Sequence, residues 1–525
     1  MSRHKDAGLT LLVALLLIIA VFVQPAVPAH AAAEAQSAVQ QPKVLLLYDS
    51  LAAGTPREGN VREVQRQLAA YHVQVTVAAL DRYEQGMMTV FPSVITVINA
   101  PDLMLSQNKP YMEDLEQYNG QYLHIGYQPP ARLEQALQLS TGLAEEESAT
   151  LTAGAFRSED LKLLQVPYIT SSKAEREYGS LFLKSSGRVV PYAVSSGNFT
   201  YIPYLEEGNV SRLAAAAVLK DWLRAAPAAG PFLVIKEIYP FSDLALLEEL
   251  AGRLYEAGIP FTASVRPVFS NTDFPAMQRY LKALKVVQAK NGSILVNAPA
   301  LMPSINSSDH TLGGKMSGFI NLLAENGVAP LGMGAEAFWT YDKEYAAAGM
   351  GYFDSVVLFP DENVIHMEET NVSASFASSL YSITPEFLQS LKHEGKAMPQ
   401  LPMDAAVTVN LPEDEAGLSL LLQTLDDLWI TFADYKQAGH TVATDTNTVS
   451  SADGVVKVNG STLNIDYVPE IVSSDYQYKE EQFKSFKTLF SVQSKFFIVV
   501  ITVALLLFGG LLTVGYRLYR KKYLK

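Results

Sequence analysis

The chain has 525 residues, 49% of them apolar and 18% charged, with a net charge of −14 at pH 7 and no cysteine. That much apolar material supplies cores for roughly two to four domains. The lack of cysteine excludes disulfides, thiolate nucleophiles, Cys-ligated zinc and iron–sulfur clusters, and the dispersed negative charge argues against a nucleic-acid partner.

At the start, Gly8 to Val23 is an apolar run of 16 residues behind Arg3, His4 and Lys5. It is short for a hydrocarbon core of ~30 Å, and Ala29-His30-Ala31 follows it. A basic start, a short apolar centre and a small-x-small exit predict a signal peptide over residues 1–31; the alternative is an uncleaved anchor. Export without disulfides suits a bacterial envelope protein whose domains are held by their cores.

Residues 43–224 read as an α/β sheet domain with a β-rich insertion. Lys43 to Tyr48 is continuously apolar after its first residue, the mark of a strand buried on both faces. Asn60 to Tyr71 places Val61, Val64 and Leu68 at helical spacing. Asn60 is the expected N-cap and Glu63 its capping-box partner. Strands over Val73–Ala78, Ser93–Asn99 and Tyr122–Gly126 complete a parallel sheet, with flavodoxin- and amidotransferase-like domains as the comparison. The chain has no cysteine for amidotransferase chemistry and no phosphate-binding glycine motif after the first strand, so the domain reads as binding or structural. Its ligand would lie beyond the strand ends at Asp49-Ser50, Asn99 to Asp102 and Tyr127-Gln128. Short β segments are expected from Leu151 to Tyr204, with a hairpin at Ser195 to Asn198. A helix over Ser211–Arg224 and an Ala/Pro linker at Ala225 to Gly230 close the domain.

Residues 231–440 repeat a strand–helix scheme. Strands are expected at Phe232–Glu237, Phe261–Val265, Ser293–Val296, Leu331–Gly334, Ser355–Phe359, Ser373–Ala377 and Ala405–Leu411. Helices fall at Asp243–Ala257, Phe274–Lys290, Met316–Glu325, Asp342–Ala347, Pro385–His393 and Asp414–Leu428, with Gly258 and Gly327 as helix stops. Six or seven such units imply a parallel (β/α) barrel, complete or missing a unit. Residues 441–491 read as a β-hairpin and stalk, with Asn459-Gly460 as a two-residue turn. Phe496 to Tyr516 then offers 21 uncharged residues, followed by Arg517, Arg520, Lys521, Lys522 and Lys525. This predicts a transmembrane helix at 496–516 and a cytoplasmic basic tail at 517–525, attracted to anionic lipid, with the remainder outside.

Phe232 to Asp243 (FLVIKEIYPFSD) and Leu254 to Val268 (LYEAGIPFTASVRPV) resemble the YdaL-like, polysaccharide deacetylase-related family of bacterial membrane proteins. Gly292–Pro299, Pro330–Tyr341 and the strand at Ser355 follow in the same order, so the resemblance spans about Pro231 to Leu411. It implies a deacetylase-like barrel. In such deacetylases an Asp-Asp pair ends the first strand as base and metal ligand, and a His-x-x-x-His pair completes the metal site. The ion polarises the acetyl carbonyl and activates water, and the free carboxylate takes the proton. In this chain the Asp-Asp positions are Lys236 and Glu237, and the histidine positions fall on Asn297 and Leu301. The family's Glu-Ala-Pro-His element is Glu336-Ala337-Phe338-Trp339. A lysine beside the metal position would repel a cation.

The candidate catalytic residues are therefore Lys236, Glu237 and Glu336, and the candidate metal ligands are Glu237 and His310. Each has a plainer alternative: an ion pair for Lys236 and Glu237, a solvated loop position for His310. Tyr239, Phe241, Asp243, Arg266, Asn297, Trp339 and Tyr341 are the candidate substrate contacts, against ordinary rim packing or, for Arg266, a structural salt bridge. The expected function is a membrane-anchored, extracytoplasmic, catalytically degenerate relative of the deacetylases. It would bind envelope polysaccharide or assist its assembly or export with membrane proteins, and need no cofactor. The alternative is an active metal-dependent deacetylase using Glu237, Asp243, Glu336 and His310. A third reading is an assembly component with the sheet domain as docking surface.

Overall fold

A computed structural model describes residues 41–103, 105–299, 311–465 and 487–523. The signal-peptide segment, His310 and Leu301 lie outside the described residues. The chain divides into two units, Met1–Val468 and Pro469–Lys525.

In the first unit, β1 (Lys43–Tyr48) is the penultimate strand of a ten-stranded sheet, and Val44 to Leu47 are fully buried. It is flanked in parallel by β2 (Gln74–Ala79) and β3 (Ser93–Ile98), and β4 (Gln121–Gly126) continues in parallel beside β3. The numbering jumps at β9 (Phe199–Ile202), which pairs in parallel with β4. The run β2-β1-β3-β4-β9 has the order of a flavodoxin-like doubly wound sheet, with its switch point between β1 and β3. Beyond β9 the sheet turns antiparallel through β8 (Arg188–Ser196), β7 (Arg176–Leu183), β5 (Ser140–Ala153) and β6 (Phe156–Ser171). The expected short segments are present as β7, β8 and β9, but two long strands, β5 and β6, precede them and begin 11 residues earlier than the sequence suggests (140 against 151). The hairpin is as expected: Ser196 faces Phe199 across Gly197-Asn198.

Helix α1 (Asn60–Ala70) buries Val61, Val64 and Leu68 as their spacing requires. Its start differs from the expected capping box. The N-cap is Gly59 at φ 90, and Asn60 is already helical. The Glu63 backbone N–H donates to the Gly59 carbonyl, but its carboxylate turns away into a buried charge cluster. It accepts from Tyr381 Oη at 2.6 Å and Gln67 Nε2 at 2.7 Å, and lies 3.5 Å from guanidinium nitrogens of both Arg66 and Arg212. Two buried cations outbid the cap.

The second half of this unit is a closed barrel of seven parallel strands: β10 (Pro231–Ile238), β11 (Phe261–Val265), β12 (Gly292–Asn297), β13 (Pro330–Glu336), β14 (Ser355–Phe359), β15 (Ser378–Ile383) and β17 (Ala405–Asn410), which closes on β10. Gly258 (φ 69) and Gly327 (φ 74) end their helices in the left-handed conformation that glycine adopts without a Cβ clash. The sixth strand falls at 378–383 rather than at Ser373–Ala377. The displaced segment is needed elsewhere. Val77 N–H donates to Asn371 O, Ser373 N–H to Val75 O, and Val75 N–H to Ser373 Oγ, so this barrel loop covers the β2 edge of the sheet. Between β15 and β17, β16 (Lys392–His393) leaves the barrel and pairs with Arg157 and Phe156 at the opposite edge. The helix expected at Asp342–Ala347 is a 3-10 turn at Ala337–Tyr341 followed by a π turn at Tyr345–Met350. The buried Asp342 carboxylate holds this bend by accepting from the N–H groups of Tyr345, Met367 and Glu368. A four-stranded sheet follows, its last hairpin turning on Asn459-Gly460 with φ 51 and 79, the type I′ signature.

The second unit contains a helix, Lys487–Tyr523. Its segment Val500–Lys522 has a mean hydropathy of 1.8 and is long and apolar enough to cross a membrane.

Candidate functional site

The carboxyl ends of β10, β12, β13 and β14 surround a cavity of about 350 Å3 lined by Lys236, Glu237, Arg266, Asn297, Glu336, Phe359 and Glu362, among others. Active sites of parallel barrels form at this end.

β10 delivers two adjacent side chains to the cavity by breaking its own regularity. Its register with β11 shifts between Ile235 and Ile238, and Glu237 sits at φ 63. A non-glycine residue in the left-handed region costs of order 1–3 kcal/mol and occurs where a side chain must be re-aimed. The Glu237 carboxylate is then fully engaged. Oε1 accepts from Arg266 Nη2 at 2.7 Å and Oε2 from Tyr239 Oη. Burial alone would raise this carboxyl's pKa, but the hydrogen bonds from Tyr239 and Arg266 and the nearby cations hold it below its ordinary value. Arg266 is itself fixed by donating from Nη1 to Ala298 O at 2.6 Å.

Lys236 projects beside this pair, its Nζ 3.6 Å from Glu362 and 5.4 Å from the centroid of Phe359. Asn297, 3% exposed at the end of β12, has an Nδ2 without a hydrogen-bond partner. Glu336 closes the far wall. Burial pushes its carboxyl pKa up, while the Glu362 and Asn363 N–H groups pull it down and the neighbouring Asp361 and Glu362 carboxylates add to the rise.

The other candidates lie elsewhere. Tyr239 and Phe241 stack with centroids 4.8 Å apart at 21°, and Phe241 is 82% exposed. Asp243 caps the helix Leu244–Glu256 through the N–H groups of Ala245 and Leu246, so its carboxylate serves backbone rather than cavity. Trp339, though it borders the cavity, is 1% exposed and stacks on Tyr345 at 4.3 Å; its ring is core. Tyr341 lines a separate cleft between the barrel and the β2 end of the sheet. Sequence reasoning missed the loop after β14, which supplies Pro360, Glu362, Asn363 and Ile365. A cluster of turn-forming residues directly after a buried strand was the available signal.

A divalent cation does not fit the residues present. Both oxygens of Glu237 are taken, one by a guanidinium, and a lysine occupies the adjoining position. Among the described residues, no group of three or more His, Asp or Glu side chains could hold a metal ion.

No protein-family model matches the chain, and no curated protein matches it. Among solved structures it is similar to Agd3, described as a novel carbohydrate deacetylase, with a TM-score of 0.31 and 8% identity over 80% of this chain and 93% of that one.

Proposed function

We propose that the chain is a membrane-tethered, deacetylase-related protein whose barrel mouth binds envelope polysaccharide and does not hydrolyse it through a metal ion. The apolar C-terminal helix is the tether, with the barrel outside and the basic tail inside. The observation that carries this reading is the Arg266–Glu237–Tyr239 clamp. It occupies the position where the resemblance leads one to expect a metal ligand, it leaves donors (Lys236 Nζ, Asn297 Nδ2) in the cavity, and its Tyr239 stacks on the exposed Phe241 ring outside the cavity lining. Sugar hydroxyls and ring oxygens accept from such donors, and a pyranose face stacks on an aromatic ring.

The test uses full-length protein in lipid nanodiscs. Binding to a panel of bacterial exopolysaccharides is measured together with acetate release from their acetylated forms, with and without Zn2+, Co2+ or Mn2+. Binding that drops about tenfold in Phe241→Ala, without acetate release, is expected. Metal-dependent acetate release abolished by Glu237→Ala would overturn the reading.

A further inference from the structure

The sheet holds a second cavity, of about 230 Å3, remote in sequence from the barrel mouth. It lies beyond the carboxyl ends of β3 and β4, beside the β1/β3 switch point, where doubly wound sheets place ligands. Its floor is Ile98, Asn99, Ile125 and Gly126, and its side wall includes Asn60 at the start of α1. β6 passes over it as a cover. Arg57 fastens that cover by donating to Leu164 O at 3.1 Å and Gln165 O at 2.6 Å while its guanidinium lies 4.9 Å from the Tyr127 ring centroid. Tyr127 Oη donates to Gln165 O as well.

The polarity of the Asn60 amide follows from a relay. Ser50 O is a carbonyl and only accepts, so Asn99 must present its Nδ2 to it, at 2.9 Å. Asn99 Oδ1 is thereby turned to Asn60 and accepts from Asn60 Nδ2 at 3.2 Å. Asn60 is left with Oδ1, 4% exposed as a residue and without a hydrogen-bond partner. Asp49 holds the relay in register by accepting from the N–H groups of Asn99 and Ala100 at 2.9 and 2.7 Å. A buried acceptor left unsatisfied costs about as much as a lost hydrogen bond, and a donor arriving through the cavity removes that cost.

The walls define the rest of the ligand. Ile98, Ile125, Val166, Pro203 and Leu205 are apolar. The ionic groups are already committed or peripheral: Arg57 serves the cover, Glu206 accepts from Tyr204 Oη at 2.6 Å, and Lys162 is exposed at the rim. No buried charge is left for a charged ligand to neutralise. An apolar cavity of about 150 Å3 is enough to take benzene, so 230 Å3 admits a substituted six-membered ring. We infer that the sheet carries a binding site for a small uncharged ring compound with an apolar body and one hydrogen-bond donor, the donor pairing with Asn60 Oδ1.

The test uses the full chain in lipid nanodiscs, with empty nanodiscs to subtract partitioning into lipid. 4-Methylphenol is titrated by calorimetry against 4-methylanisole, which has a similar body and no donor. The phenol is expected to bind about two- to tenfold tighter, the usual net return on one buried hydrogen bond. Leu164→Trp acts from a position 55% exposed, so it fills the cavity entrance without disturbing the core. It should abolish binding with the melting temperature unchanged, and Asn60→Leu should remove the preference for the phenol. The inference is overturned if neither probe binds (a cavity holding water alone), if both bind equally, or if binding survives Leu164→Trp.

Discussion

Glu63→Gln should be among the most damaging single changes in this protein. The carboxylate stands where helix α1, the helix Ser211–Leu223 that carries Arg212, and barrel strand β15 meet. Each guanidinium nitrogen at 3.5 Å is worth about 5 kcal/mol of attraction at an effective dielectric constant of about 20, set against a burial cost of several kcal/mol per ion. A glutamine keeps one acceptor for Tyr381 but points an amide N–H2 at two buried arginines, which then stand unpaired. Removing one partner of a buried ionic group costs about 3–5 kcal/mol, a large share of the ~5–15 kcal/mol that holds a folded domain. Urea unfolding followed by tryptophan fluorescence measures it, with Trp222 reporting from the sheet side and Trp339 from the barrel. The pH dependence supplies a second check. Burial would raise the Glu63 pKa, but Arg212, Arg66 and the hydrogen bonds from Tyr381 and Gln67 prevail and hold it below 4.5. A depressed carboxyl contributes stability that is present above its unfolded value and lost as pH falls through its folded one. The gap between wild type and Glu63→Gln should therefore be widest at neutral pH and shrink below about 4.5. A loss under about 1 kcal/mol at pH 7, or a gap that widens in acid, would refute the argument.

Asp243→Ala should cost about 1 kcal/mol through loss of the cap and leave polysaccharide binding unchanged, measured by thermal melts beside binding isotherms. Glu336 has the opposite sign to Glu63. Its folded pKa is raised, so it lowers stability as pH rises through and above 4.5. Glu336→Gln should accordingly be neutral or stabilising at pH 7 and indistinguishable from wild type at pH 4, read as a shift in melting temperature.

Much of the barrel was legible because its strands are short apolar runs separated by helices that stop at glycine, and burial on both faces leaves exactly that trace. The strands at 140–171 were less so. Their sequence, with Glu145, Glu146, Glu147 and Lys162, is polar at consecutive positions that the structure leaves exposed or half-buried on both faces, and the alternation is too interrupted to announce a strand. Ser373 misled because a loop borrowed by a sheet edge looks like a strand without belonging to the barrel. Glu63 misled for a different reason: a capping box is a local pattern, whereas Arg212 and Tyr381 lie 149 and 318 residues away. At the mouth, the resemblance located Lys236, Glu237, Asn297 and Glu336 in one cavity. The plainer alternatives, an ion pair for Glu237 and a structural salt bridge for Arg266, meet in one bridge; what the sequence did not show is that Tyr239 takes the second oxygen of Glu237, since that depends on a single left-handed residue in β10.

The barrel lends a backbone segment to each edge of the sheet, residues 371–373 against β2 and β16 against β6. The linker at 225–230 is therefore a hinge in sequence only. A protease that nicks it would release nothing, because the two fragments remain stitched at both margins, and the nicked protein would still sediment as one particle. Splitting the gene at that point calls for joint production of the halves. Each, made alone, would expose raw strand edges or dangling barrel loops, and such unpaired edges are where chains aggregate.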